Sequence, residues 1–236
     1  MKIIVLTSTQ YKEKDAIVTA LTQSETIVFA CRGAKDPKSK NSILNNPLTI
    51  ADIELIEGDF KYPQLKASKE ILSPFKLEMN SYYLGTLLLV DEMVLHFFPD
   101  DERPHIFPYL EEAVVALKKS NDWLMTLLIF MAHVLRLGGF ELEVNRCVIC
   151  GQKKKILAFS FVEGGFICQD CISPDIERDL TKEQMILLRS IFNSRDYHLL
   201  SESYNRDDAL VLLARCLDFA QEAFGYRLKN TRLILV

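Results

Sequence analysis

Two cysteine pairs constrain this chain more than any other feature. Cys147-Val148-Ile149-Cys150-Gly151 is followed, after seventeen intervening residues, by Cys168-Gln169-Asp170-Cys171. A C-x2-C turn aims both of its sulfurs at one point, and two such turns supply the corners of a tetrahedron. The spacing predicts one zinc ion held by Cys147, Cys150, Cys168 and Cys171. Closed by sulfur alone, such a site has no open position for a reacting water and is structural. Gly151 stands where a knuckle turn calls for positive φ. Between the pairs, the two apolar runs of 156–167 flank Gly164-Gly165 and read as a β-hairpin. So short a segment, about 144–175 in all, cannot build a core, and the metal stands in for one. The competing readings are two disulfides or four unrelated thiols. The chain shows no secretory signal, which places it in the cytoplasm, where disulfides are disfavoured. Lys153, Lys154 and Lys155 on the first knuckle are a solvated surface or a nucleic-acid contact.

The remainder of the 236 residues suits one large domain or two ordinary ones. The first seventy or so read as β structure. Apolar runs occur at Ile3–Leu6, Ala16–Leu21, Thr26–Cys31 and Leu48–Ile56. A fifth begins near Phe60–Leu65, where Pro63 marks an edge or a bulge. Five short strands with polar connections suit a small barrel; a five-stranded OB-fold leads, with an SH3-like barrel as rival on this pattern. One connection differs from the rest. Arg32-Gly33-Ala34-Lys35-Asp36-Pro37-Lys38-Ser39-Lys40-Asn41 carries four cations against one acid. The formal net charge of the chain is −4, so any nucleic-acid contact must come from such a local patch. Arg32, Lys35, Lys38 and Lys40 are the candidate DNA-binding residues; a plain solvated loop is the alternative. The loop holds no aromatic residue, so the expectation is contact with phosphates rather than stacking on bases. Lys12 and Lys14 are offset by Glu13 and Asp15.

From Ser73 the pattern turns helical. Ser73 and Pro74 read as N-cap and first turn of a helix reaching Phe98. Asp100, Asp101 and Glu102 lie in a polar break read as a solvated turn. A second helix spans His105–Lys119, and a third, capped by Asn121, runs to Leu137 and ends at Gly138-Gly139. The third is apolar almost all round and should be central. Its His133 reads as a hydrogen-bonded structural histidine. Thr181-Lys182-Glu183-Gln184 is a capping box opening a fourth helix. Asp207 or Asp208 opens the last, which Gly225 stops. The tail Tyr226–Arg232 is basic. Cys31 and Cys216 read as buried thiols. No apolar run is long enough for a membrane span. The chain has no phosphate-binding Gly-rich loop, no H-E-x-x-H and no nucleophile elbow, so a non-enzymatic protein is expected.

Taken in order, several of these pieces resemble the bacterial RecO family of recombination mediators. They are the strands leading into Arg32-Gly33-Ala34-Lys35 and Lys38-Ser39, and the run from Phe107 and Leu110 through Phe130. The Gly138-Gly139-Phe140 turn follows, ahead of Cys147-x-x-Cys150-Gly151. Next come Phe159-Ser160 and Gly164-Gly165 with Cys168-x-x-Cys171, and finally Gly225-x-Arg227-Leu228-Lys229. The resemblance implies an α+β chain: an OB-fold over 1–73 that binds DNA, then an α-helical domain over 74–236 with the four-cysteine zinc module embedded. It implies binding and annealing of single- and double-stranded DNA. It further implies loading of RecA, with RecR, onto DNA coated by single-strand-binding protein, whose acidic C-terminal tail would be a partner. A groove for that tail is expected in the helical domain, with Arg136, Arg227 and Lys229 as basic candidates. Such a protein would sit in the cytoplasm at the nucleoid. The chain departs from the family's basic character in its net charge and in Asp36. A zinc-ribbon adaptor that binds proteins and no DNA is the alternative reading.

Overall fold

In the computed structural model, which describes residues 1–56, 58–75, 79–120, 122–194, 197 and 203–235, the first strand is β1 (Lys2–Gln10). Its Ile3, Ile4, Val5 and Leu6 are all buried, so both faces of the strand are covered there. That is why the sequence shows an unbroken apolar run rather than an alternation. β2 (Ala16–Leu21), β3 (Thr26–Cys31), β4 (Ile50–Ile56) and β5 (Gln64–Leu72) complete a closed barrel in the order β1-β2-β3-β5-β4. β3 and β5 meet in parallel and every other pair is antiparallel. This is the closure of an OB-type barrel, which settles the choice against an SH3-like one. Ile3, Val5, Val18, Ala20, Phe29 and Ile53 fill the interior, joined by Leu44 from a short 3-10 turn, Lys40–Asn45. Register shifts fall between Val5 and Thr7 in β1 and twice along β4–β5, where bulges bend the strands into closure. Pro63 lies just before β5 rather than within it. Its carbonyl accepts the Ala30 amide at 2.9 Å, a role that needs no proline N–H.

The first helix begins later than the sequence reading placed it. α1 spans Ser81–Phe97, capped by Asn80, whose side chain accepts the Tyr83 amide at 2.8 Å. Among the described residues Ser73 accepts the nearby Phe75 amide, and the Pro74 carbonyl is taken by the Tyr83 hydroxyl. Of the expected early turns, residues 76–78 lie outside those described. The polar break after α1 is also more than a solvated turn. Arg103 is buried there, and its guanidinium donates to the carbonyls of Leu95 and Phe98 as well as to Asp100. A cation on the last carbonyls of a helix satisfies acceptors that have no helical partner. α2 (Phe107–Ser120) follows.

The chain separates into two units, Met1–Asn121 and Asp122–Val236. In the second, α3 (Trp123–Leu137) is buried along its whole length to Leu135 and packs against both later helices. Its cap is Asp122, which accepts the Met125 amide at 3.2 Å; the expected cap, Asn121, lies outside the described residues. Three strands come next, β6 (Glu143–Cys147), β7 (Ile156–Ser160) and β8 (Gly165–Cys168), in the order β6-β8-β7. α4 (Lys182–Asn193) opens with the full capping box of Thr181 and Gln184. α5 (Arg206–Phe224) is capped by Asn205 rather than by either aspartate, because Asn205 accepts both the Asp207 and Asp208 amides. The two aspartates instead occupy the first turn, where the helix dipole favours negative charge. Gly225, at φ 66°, ends α5 in the left-handed region as expected. Cys31 and Cys216 are buried thiols, each pushed up to about 12 by burial. No helix among the described residues is long and apolar enough to cross a membrane.

Candidate metal centre and nucleic-acid face

Each half of the metal site is a turn closed by its own backbone. In the first, the Gly151 amide donates to the Cys147 carbonyl at 2.8 Å and the Cys147 amide to the Gln152 carbonyl at 2.7 Å. Gly151 sits at φ 77°, the conformation for which the sequence reading singled it out. In the second, the amides of Cys171 and Ile172 both donate to the Cys168 carbonyl at 3.1 Å. The hairpin that joins the turns needs its two glycines for different reasons. Gly164 takes φ 76°, whereas a Cβ on Gly165 would lie 2.6 Å from the Glu143 carbonyl oxygen. Gly165 thereby lets β6 lie directly on β8, which brings Cys147 level with Phe166.

The result is four sulfurs within 4.8 Å of one another, with Cys150 and Cys168 at 3.6 Å. A tetrahedron with metal–sulfur bonds of about 2.3 Å has edges of about 3.8 Å, so the donor set fits one four-coordinate ion. All four cysteines are free thiols, so neither disulfide of the competing reading is present. Burial pushes the Cys147 thiol upward, but amides at Cys150, Cys168 and Ile149 outweigh it and hold the group near 6. Cys171 is pushed well above its ordinary value by hydrogen bonding with Cys150 and Cys168. The sulfurs thus compete for protons in a way that a cation would relieve. Lys153, Lys154 and Lys155 are exposed beside the first turn.

On the barrel, the structure separates the four basic loop residues. Arg32, Lys38 and Lys40 are exposed, and none forms an ion pair among the described residues. Lys35 is different. It is half-buried, and its ammonium donates to the Ser8 carbonyl at 2.8 Å and to the Asn45 side chain. It ties the loop to β1 and is not the exposed cation the sequence suggested. Asp36 is bound by Lys14 at 3.0 Å; that bond, with the Lys38 amide, holds its carboxyl below the usual range. Asp15 accepts the Gly33 amide at 3.0 Å instead of neutralising Lys12.

Sequence reasoning missed a groove of about 340 Å³ at this end of the barrel. Tyr11 and Lys12 from the β1–β2 turn line it, with Arg32 and with Phe60, Lys61 and Tyr62 from the β4–β5 connection. The available signal was the pairing of an aromatic with a lysine, Tyr-Lys and Phe-Lys-Tyr, at two separate strand connections.

The three basic candidates of the helical region also have distinct surroundings. The Arg136 guanidinium donates to Glu141 and to the Phe192 carbonyl, each at 2.7 Å, and lies 3.4 Å from His133. Burial first, and Arg136 second, push His133 down to about 4, so it is neutral at pH 7. Arg227 lines a groove of about 780 Å³ with Phe140, Phe161 and Phe219, where Glu177, Asp218 and Glu222 also sit. Lys229 is exposed and lies outside that lining.

A closed OB-type barrel, followed by a helical region that carries a four-cysteine hairpin able to hold a metal ion, defines the class of architecture. Comparison with known proteins narrows it. The family model described as Recombination protein O N terminal matches residues 1–69, and that described as Recombination protein O C terminal matches residues 80–226. The DNA repair protein RecO of Bacillus subtilis (strain 168) is 26% identical over 234 residues, covering 98% of this chain and 91% of that protein. Its counterpart in Bacillus pumilus (strain SAFR-032) is 29% identical over 174 residues, 73% of this chain and 68% of the relative. That of Halalkalibacterium halodurans is 24% identical over 235 residues, 98% and 92%. The chain belongs to the RecO family.

Proposed function

We propose that this chain is a DNA repair and recombination mediator that works by binding rather than by turnover. It holds single- and double-stranded DNA on the barrel of residues 1–73, anneals complementary strands, and with RecR helps load RecA onto DNA coated by single-strand-binding protein. One observation carries the reading: a RecO-family barrel presents Arg32, Lys38 and Lys40 exposed and without ion pairs among the described residues, in a chain of net charge −4. Neutralising phosphates releases counterions, which gives such cations a function that folding does not. The segment 74–236 docks partner proteins. The acidic tail of single-strand-binding protein engages Arg227 and Lys229, while Arg136 shapes the surrounding helices. The metal is one Zn²⁺, the ion a closed four-thiolate tetrahedron suits best in a structural hairpin. It cross-links β6 to the β7–β8 hairpin and takes no part in chemistry.

The test is a titration of a labelled single-stranded oligonucleotide at 50 and 200 mM salt, with and without RecR. Affinity should fall about tenfold or more across that range, the slope expected for roughly three neutralised phosphates. No binding at either salt, with RecR or without, would overturn the proposal in favour of a protein-only adaptor.

A further inference from the structure

A single exposed apolar side chain is ordinary, but large aromatics exposed together in one groove mark a contact surface. Phe60 at 54% and Tyr11 at 50% exposure are the most exposed aromatic side chains among the described residues, and both line the barrel groove described above. They come from connections at opposite ends of the sequence of the barrel, and only closure of the sheet brings them together. Lys12 stands 5.5 Å from the Tyr11 ring centre, and Lys61 stands 5.4 Å from that of Tyr62. Arg32 completes the rim.

We infer that this groove is a nucleobase subsite, in which Tyr11, Phe60 and Tyr62 stack an unpaired base while Lys12, Arg32 and Lys61 face the flanking phosphates. The inference rests on the DNA-binding reading and extends it from the backbone to the bases. Size fits: about 340 Å³ is at the small end of the roughly 300–1,000 Å³ typical of ligand clefts, suited to one nucleotide. The site also lies where OB barrels bind oligonucleotides, at the connections after the first and fourth strands. Charge alone does not account for the groove. Asp15 and Asp59 line it too, leaving a net of one positive charge from five groups. Asp15 is occupied by the Gly33 amide, which holds the loop that carries Arg32. With so small a net charge, affinity here must come from the aromatic faces, each of which accepts any base. A duplex keeps its bases stacked internally, so this subsite favours single strands. Sequence preference should be weak, because stacking on the aromatic faces accepts any base.

The experiment compares a dT20 strand with an abasic strand of equal length, titrated against the full-length protein at fixed salt. The wild type should bind dT20 about tenfold or more tightly than the abasic strand. Tyr11→Ala and Phe60→Ala should each weaken dT20 binding by about tenfold, with abasic binding altered less than twofold. Tyr11→Phe should restore the dT20 affinity, since the ring and not the hydroxyl does the stacking. The salt slope should stay at its wild-type value in both alanine variants, because no phosphate contact is removed. Both positions are exposed, so the variants should melt with the wild type. Equal wild-type affinity for the two strands, or equal losses on both in the variants, would overturn the subsite while leaving DNA binding intact. Binding to neither strand would overturn both.

Discussion

Replacing Gly165 by Ala should loosen the metal site, whereas the same change at Gly164 should not. The added Cβ at Gly165 would sit 2.6 Å from the Glu143 carbonyl oxygen, 2.9 Å from its Cβ and 3.2 Å from its Cα. An ordinary carbon–oxygen contact is about 3.3 Å, so β6 must retreat by about 0.7 Å. The obstacle is backbone, and no side-chain rotation relieves it. Glu143 pairs with Gly165 and Cys147 with Phe166, so the retreat reaches a candidate metal ligand within one strand. Against metal–sulfur bonds of about 2.3 Å it is a large displacement. Overpacking of this kind costs about 1–3 kcal/mol, or about 5- to 150-fold in an equilibrium. At Gly164 nothing lies within 4 Å of the built Cβ, and the cost is the left-handed conformation alone, about 1–2 kcal/mol. The assay is transfer of metal to a chromogenic chelator, alongside a thermal melt. Gly165→Ala should release metal at least about fivefold faster than wild type, and Gly164→Ala should match wild type while melting slightly lower. Equal metal retention in the two variants would refute the argument that Gly165 exists to seat β6.

The loop cations divide the same way. Changing Lys38 and Lys40 together to Ala should lower the salt slope for single-stranded DNA by about 1.4 with the melting point unchanged, whereas Lys35→Met should cost about 1 kcal/mol or more of stability by releasing Ser8 and Asn45. A drop in DNA affinity from Lys35→Met as large as that from the pair would contradict this. Asp91 is pushed up to about 8, first by burial, with Arg103 opposing and Glu92 reinforcing, and its Oδ1 has no hydrogen-bond partner among the described residues. A folded pKa above the unfolded value means the native state binds the extra proton, so this group's contribution falls from about pH 4 to about pH 8. Asp91→Asn should therefore raise the melting point at pH 8 relative to wild type more than at pH 5; a pH-independent difference would argue against it. Replacing any one of the four ligand cysteines by Ser should abolish stoichiometric zinc, read by elemental analysis, and expose the 144–175 segment to protease while the barrel strands keep their hydrogen-exchange protection.

Local chemistry was legible where neighbours in sequence do the work. The turn within each cysteine pair, the Gly164 turn, the Thr181 capping box and the Gly225 stop all depend on residues within a few positions of each other, and each stands in the structure as read. The apolar runs of β1 to β4 were equally plain, because burial on a closed barrel demands them. What the sequence left open depended on partners far along the chain. Ser73 and Asn80 are both good caps, and the Tyr83 hydroxyl on the Pro74 carbonyl accompanies a helix that starts after Asn80. Lys35 reads like its neighbours until the carbonyl of Ser8, distant in sequence, accepts its hydrogen bond. Gly165 looks like the second half of a turn until β6 lies against it. Tyr11 and Phe60 are ordinary residues taken singly, and become a candidate base platform only because β3 pairs with β5 in the closed barrel, next to the β1–β2 end. Periodicity and short motifs encode local conformation, since that is decided by a few dihedrals and near hydrogen bonds; which side chains are committed to structure and which remain for a ligand is decided by closure and packing.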